Sequence, residues 1–197
     1  MKPAREISLT IKEYLQLELD TQQRYEFHSG EVFALAGGSI AHTLLVGNIY
    51  SALRSNLQKA KKLCKALSSE AKLNIETGNK FVYPDSMVVC GELQVSEASQ
   101  EAIINPTLIV EVLSKSTAAY DRGDKFFFYR QVPTFKEYVL IEQDRYLVEV
   151  FTKKDATNSW EIARYEGLDK QILLPALDIS IAMEDLYFDV EIEKPNS

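Results

Sequence analysis

The sequence predicts an α/β domain built on a mixed β-sheet flanked by helices. Apolar residues recur at helical spacing near 11–19 and 40–57, while apolar strand-like runs occupy 64–75, 81–89 and 106–113. The resulting order of helix, three strands, helix and strand hairpin reads as an α/β domain with a mixed sheet, and the order alone is compatible with several folds. At 197 residues, 46% of them hydrophobic, the chain reads as one domain able to form its core without staples.

The elements follow in order. Thr10-Ile-Lys-Glu13 is a capping-box pattern, and Tyr14, Leu15, Leu17 and Leu19 suit a short amphipathic helix. Residues 25–35 read as a hairpin turning at Ser29-Gly30. These two elements form an N-terminal unit over about 10–35. A second helix starts after Gly38-Ser39 and opens the core, about 39–152; it carries Leu44, Leu45, Ile49, Leu53 and Leu57 and ends in a lysine-rich stretch.

Strands at 64–75 and 81–89 are joined by a Thr77-Gly78-Asn79 turn. The run at 106–113 is apolar on both alternating faces, as in a central strand covered on each side. Ser114, Ser116 or Thr117 can cap a helix to about Gln131, stopped by Pro133. A hairpin around Gln143-Asp144 closes the core. Strands at 160–165 and 171–174 and a helical turn at 183–188 make up a C-terminal part over 158–197.

Composition bounds the function. A net charge of −7 argues mildly against a dedicated nucleic-acid binder. Distribution tempers that, because Arg54, Lys59, Lys61, Lys62 and Lys65 fall in one stretch without an acid, whereas the tail at 184–193 is acidic. Taken alone, so small a basic cluster is a solvated helix face. Cys64 and Cys90 form no CxxC pair and no Cys/His metal spacing, which predicts reduced thiols and no structural zinc. Residues 1–8 lack the apolar stretch of a secretory signal, and no run approaches the ~18–20 apolar residues of a membrane helix. The expected location is the cytoplasm, with no membrane partner.

Two acids interrupt the apolar runs: Asp85 in Tyr83-Pro-Asp-Ser-Met87 and Glu111 in Ile109-Val-Glu-Val-Leu113. A carboxylate in a buried strand is costly unless hydrogen-bonded, paired or bound to a cation. Two of them converging at the ends of neighbouring strands suit a hard divalent cation such as Mg2+, and hence metal-assisted hydrolysis of a phosphodiester. Each residue also has a plainer reading. Pro-Asp often only punctuates a strand, and Glu111 could sit in a buried ion pair with Arg122 or Lys125.

Several stretches, in order, carry a resemblance: Tyr25-Glu-Phe-His-Ser-Gly-Glu31, His42 at a helix start, Tyr83-Pro-Asp85, and Pro106-Thr-Leu-Ile-Val-Glu-Val-Leu-Ser-Lys-Ser-Thr117. They continue with Asp121, Lys125 and Tyr129, then Phe135-Lys-Glu-Tyr-Val-Leu140. Together they resemble the Uma2 family, a domain of unknown function common in cyanobacteria within the PD-(D/E)XK superfamily, over roughly residues 10–186. The resemblance implies a restriction-endonuclease-like core and a deoxyribonuclease using Mg2+ or Mn2+, with Asp85 and Glu111 as metal ligands. The orthodox lysine two residues after the glutamate is absent, since Leu113 stands there. Lys125 resembles the migrated lysine that this family places on the following helix.

His42, Glu70 and Glu26 are possible accessory residues, each with a structural or solvent-facing alternative. Lys125 and Asp121, four apart, could simply form an exposed helical pair. In the aromatic segment with Tyr120, Phe126, Phe127, Phe128 and Tyr129, the three phenylalanines cannot share one helix face. Some belong to the core and others to a subunit contact, as in a homodimer. The rival function is a non-catalytic dimeric binding or assembly protein on a nuclease-like scaffold. The choice of DNA over RNA as substrate is left open by the residues themselves.

Overall fold

The computed structural model describes residues 8–35, 37–154, 156–157 and 159–192. The expectations about the first seven residues and about the acidic tail from Glu193 onward lie outside the described residues. Helix α1 (Ile11–Thr21) begins at Thr10, whose Oγ1 accepts from the Glu13 amide at 3.3 Å. Glu13 Oε2 accepts in return from the Thr10 amide at 2.8 Å, closing the capping box. β1 (Tyr25–His28) and β2 (Glu31–Ala34) turn through Ser29 and Gly30, at φ 52° and 109°. A two-residue hairpin of this hand needs positive φ at both positions. Helix α2 (Ile40–Lys59) is capped by Ser39, whose Oγ accepts from the His42 amide at 3.1 Å, and it buries Leu45, Ile49, Leu53 and Leu57.

The two strands expected over 64–75 and 81–89 are each broken in two. β3 (Cys64–Ser68) and β4 (Lys72–Ile75) replace the first, β5 (Lys80–Val82) and β6 (Ser86–Cys90) the second. β4 pairs with β5 and β3 with β6, so the four are arms of one hairpin bent between two sheets. The crease falls at Ser69-Glu70-Ala71 on one arm and Tyr83-Pro84-Asp85 on the other. Pro84 has no N–H to donate to a ladder, which explains why the strand stops there.

Five further strands and a broken helix complete the core: β7 (Ala102–Ile103), β8 (Leu108–Leu113), β9 (Glu137–Glu142), β10 (Leu147–Lys154) and β11 (Ser159–Glu166), the last an extra edge. One sheet runs β11-β10-β9-β8-β6-β3, with β8 and β9 parallel; the other runs β2-β1-β5-β4-β7. Between β8 and β9 lie α3 (Ala118–Tyr120), a wide π-helical turn over Asp121–Lys125, and α4 (Phe126–Tyr129). The hairpin of β12 (Gln171–Leu174) and β13 (Ile179–Ala182), of which the sequence suggested only the first strand, leads to α5 (Met183–Leu186).

Every residue of β8 is buried, as a centrally covered strand requires. Val110 and Val112 pack with α2, β12, β13 and α5, whereas Ile109 and Leu113 pack with Tyr129, Val132 and Phe135. A third cluster seats Tyr14 of α1 against Phe27 and Phe81. Each such large side chain contributes about 1.5–3 kcal/mol. Among the described residues, no helix is long and apolar enough to cross a membrane.

The expectation of reduced cysteines is overturned, because Cys64 and Cys90 form a disulfide. Their separation of 26 residues hides the reason. The antiparallel register of β3 and β6 sets them directly opposite each other. The cysteines therefore give no argument for a reducing compartment.

Glu137, at the start of β9, is fully buried. Its Oε1 accepts from Thr152 Oγ1 at 3.0 Å and from the Ala176 amide at 3.3 Å, while Oε2 has no hydrogen-bond partner. Burial pushes this carboxyl up to about 7, from 4.5. A carboxyl with a higher pKa folded than unfolded takes up a proton on folding. Its contribution is therefore full below pH 4.5 and lost as the pH rises through about 7. Glu137→Gln, which resembles the protonated acid, is expected to stabilise the protein by about 2–3 kcal/mol at pH 8. Denaturant melts at several pH values check this: the gain should vanish near pH 5, and a constant gain would refute it.

Candidate active site

The crease between the sheets places the first acid. β6 pairs with β8 only from Val88↔Leu108 to Ser86↔Val110, so the next outward amide of β8 lies beyond the end of β6. Asp85 takes it, its Oδ2 accepting from the Val112 amide at 2.7 Å. His42 Nε2 lies 3.4 Å from the same oxygen. Gly38 makes room for that ring, because a Cβ there would meet His42 Nδ1 at 2.7 Å. The hydrogen bond to Asp85 raises the imidazole pKa against its partial burial.

Glu111 projects from the opposite β8 face to Val110 and Val112, towards the broken helix. It accepts from Tyr129 Oη at 2.6 Å and pairs with Lys125 Nζ at 2.8 Å. The same ammonium lies 3.5 Å from Glu26 and 3.6 Å from Asp121. The wide turn over Asp121–Lys125 brings both its charged ends inward, buried, where an exposed helical pair was one reading. Such π-turns inside helices are frequent at functional sites. Glu26, on β1 between two aromatics, is also held by His28 Nε2 at 3.1 Å, and His28 in turn meets Lys80 Nζ at 3.1 Å.

Charge in this cluster is unbalanced. Burial, together with Asp85 and Asp121, raises Glu111 well above the usual carboxylate range despite Lys125. Burial raises Asp121 as well. Burial alone would discharge Lys125, but the acids around it, Glu111, Glu26 and Asp121, hold it protonated, well above its ordinary value. Burial also works against Glu26, yet Lys125 and His28 keep it low and ionised. Four acids thus face one lysine, around a cleft of about 320 Å³ lined also by His42, Ser114, Thr117 and Gln143.

Hard oxygen donors in excess of nearby positive charge fit a divalent cation in kind. Among the described residues no three acids or histidines already form a metal cluster. Lys125 occupies the point that Glu26, Glu111 and Asp121 share.

The structure brings Asp85, Glu111, Lys125, His42 and Glu26 to one cleft. It does not bring Glu70, which sits exposed in the turn after β3 and pairs with Arg24 at 2.9 Å. Leu113 is buried in the apolar cluster, so nothing replaces the orthodox lysine from β8 itself. Asp121, Tyr129 and His28 were not among the candidates. An acid or histidine alternating with aromatics in Tyr25-Glu-Phe-His28 was the available signal for the β1 pair.

The sequence model of the Uma2 family, described as "putative restriction endonuclease", matches residues 11–184. The uncharacterized protein sll1609 of Synechocystis sp. is 37% identical over 164 residues, 83% of this chain and 91% of the relative. The uncharacterized protein slr1290 of the same organism is 30% identical over 179 residues, 91% of each. A crystal structure from Anabaena variabilis, described as "a putative nuclease belonging to DUF820", superposes with a TM-score of 0.70 at 17% identity. That superposition covers 91% of this chain and 97% of the other, and it bears out the expected restriction-endonuclease-like fold.

Proposed function

Since this chain belongs to the Uma2 family, we propose that it is a metal-dependent nuclease that hydrolyses DNA phosphodiester bonds at the Asp85–Glu111 cleft. The observation that carries the reading is the excess of buried carboxylates around a single lysine at the crease between two sheets. Asp85 and Glu111 would hold Mg2+ or Mn2+. A bound cation supplies charge neutralisation at the phosphate and a lowered water pKa.

The chain's own groups do the rest. Tyr129 and Lys125 fix the Glu111 carboxylate, and the Val112 amide fixes that of Asp85. Lys125, kept protonated, offers a positive charge to the scissile phosphate or orients the attacking water. His42, proton-bearing more readily because of Asp85, adds a donor at the cleft wall. Arg54 and Lys59 stand exposed on α2, roughly 18 and 25 Å along the helix from His42, where they add positive charge for a phosphate backbone.

A supercoiled-plasmid assay tests this. Wild-type protein is expected to nick or linearise plasmid with Mg2+ or Mn2+ and to stop on chelation. The already satisfied ion pairs of Lys125 favour a second reading, a non-catalytic scaffold in which that cluster is structural. No cleavage of duplex or single-stranded DNA with either metal would decide for it.

A further inference from the structure

β11 is one of the two edges of the larger sheet, β3 being the other. Its eight residues pair with β10 from Leu147↔Glu166 to Lys154↔Ser159 with no extra residue on either strand, and among the described residues nothing pairs on its other side. Natural edges are normally blunted by charged side chains, proline, a bulge or a covering element. β11 carries Glu161, Arg164 and Glu166 but no proline, lysine or bulge, and it exposes Ile162 to 58%. Its charges do not repel an approaching strand strongly, since Glu161 is paired with Lys154 at 2.5 Å and Arg164 with Glu166 at 3.0 Å.

The outward groups can be assigned. The Gly167 amide donates to Tyr146 O, and on the other side of β10 the Lys153 amide donates to Lys136 O. Because ladder bonds alternate along an antiparallel pair, the odd residues of β11 bond inward to β10. Trp160, Ile162, Arg164 and Glu166 therefore present their amides and carbonyls to solvent.

We propose that β11 is the interface between two copies of this chain, paired antiparallel with Ile162 opposite Ile162 of the partner subunit, so that one sheet runs through both. A two-fold pairing must set outward residues against outward residues. Centred on Ile162, it buries the exposed isoleucines against each other and lays Arg164 against the partner's Trp160, a cation–π arrangement. That indole is already seated on Phe126 and Phe135. No like charges stand directly opposite in this register. Centring on Arg164 would oppose two arginines, and centring on Trp160 would shorten the overlap. Self-complementarity favours a second copy over an unrelated strand. The proposal is independent of the nuclease reading.

Sedimentation equilibrium on the whole chain tests it, with circular dichroism and melting to confirm folding. Wild type should be dimeric at micromolar concentration. Ile162→Glu and Ile162→Lys, each setting like charges opposite themselves, should each weaken association about tenfold or more. An equimolar mixture of the two should re-form dimers, since a self-opposed position then carries opposite charges. Ile162→Pro removes an outward donor without touching the β10 ladder and should also give monomers. A monomeric wild type at about 100 µM, or variants that stay dimeric, would overturn the interface. A mixture that stays monomeric would overturn the register.

Discussion

Glu111→Gln is expected to reduce metal-dependent cleavage about 10³-fold while leaving the fold intact, a loss of the size seen when one preorganised charge is removed from a catalytic site. The substitution is isosteric, and the amide oxygen can still accept from Tyr129 and Lys125. What disappears is the ionisable oxygen that a bound cation would draw into its anionic form, at a site where burial, Asp85 and Asp121 resist that charge. Lys125 is not stranded, because Glu26 and Asp121 remain within 3.5 and 3.6 Å. Stability should therefore change far less than activity. Single-turnover plasmid cleavage beside a melting curve separates the two. A variant that cuts like wild type would remove Glu111 from the chemistry. One that unfolds would make it a structural residue.

Glu111 was readable because its flanks are apolar on both faces, leaving a charged side chain no solvent to reach. The α1 cap and the Ser29-Gly30 hairpin were readable for a related reason, since local hydrogen bonding and positive φ act within a few residues. The bend at Pro84-Asp85 was not. Hydrophobic periodicity continues across it, and only the pairing partners reveal that Phe81 and Met87 lie in different sheets. The disulfide was hidden in the same way, because register rather than spacing brings Cys64 to Cys90. Glu26 looked like a hairpin residue, and nothing local to β1 shows that Lys125, about a hundred positions on, is its counter-ion. β13 is only four residues long and does not stand out until β12 pairs with it.

Lys125→Met is expected to have the largest effect on stability, a loss of about 3–5 kcal/mol near neutral pH, because it leaves Glu26, Glu111 and Asp121 buried together without their cation. The methionine fills much of the same volume, so the loss is electrostatic rather than a cavity. The more informative measurement is the melting temperature of this variant with and without Mg2+. If the acids can serve as metal ligands, the variant should gain more stability from Mg2+ than wild type does, since an ion now binds where the ammonium stood and binding to the folded state alone adds RT ln(1 + [L]/Kd). Equal, negligible gains in both proteins would mean that the acids are arranged around the lysine itself. The cluster would then be a buried ion-pair network. An Mg2+-dependent rescue, with cleavage still impaired, would instead assign Lys125 a part in positioning the phosphate or water that no bound ion can replace.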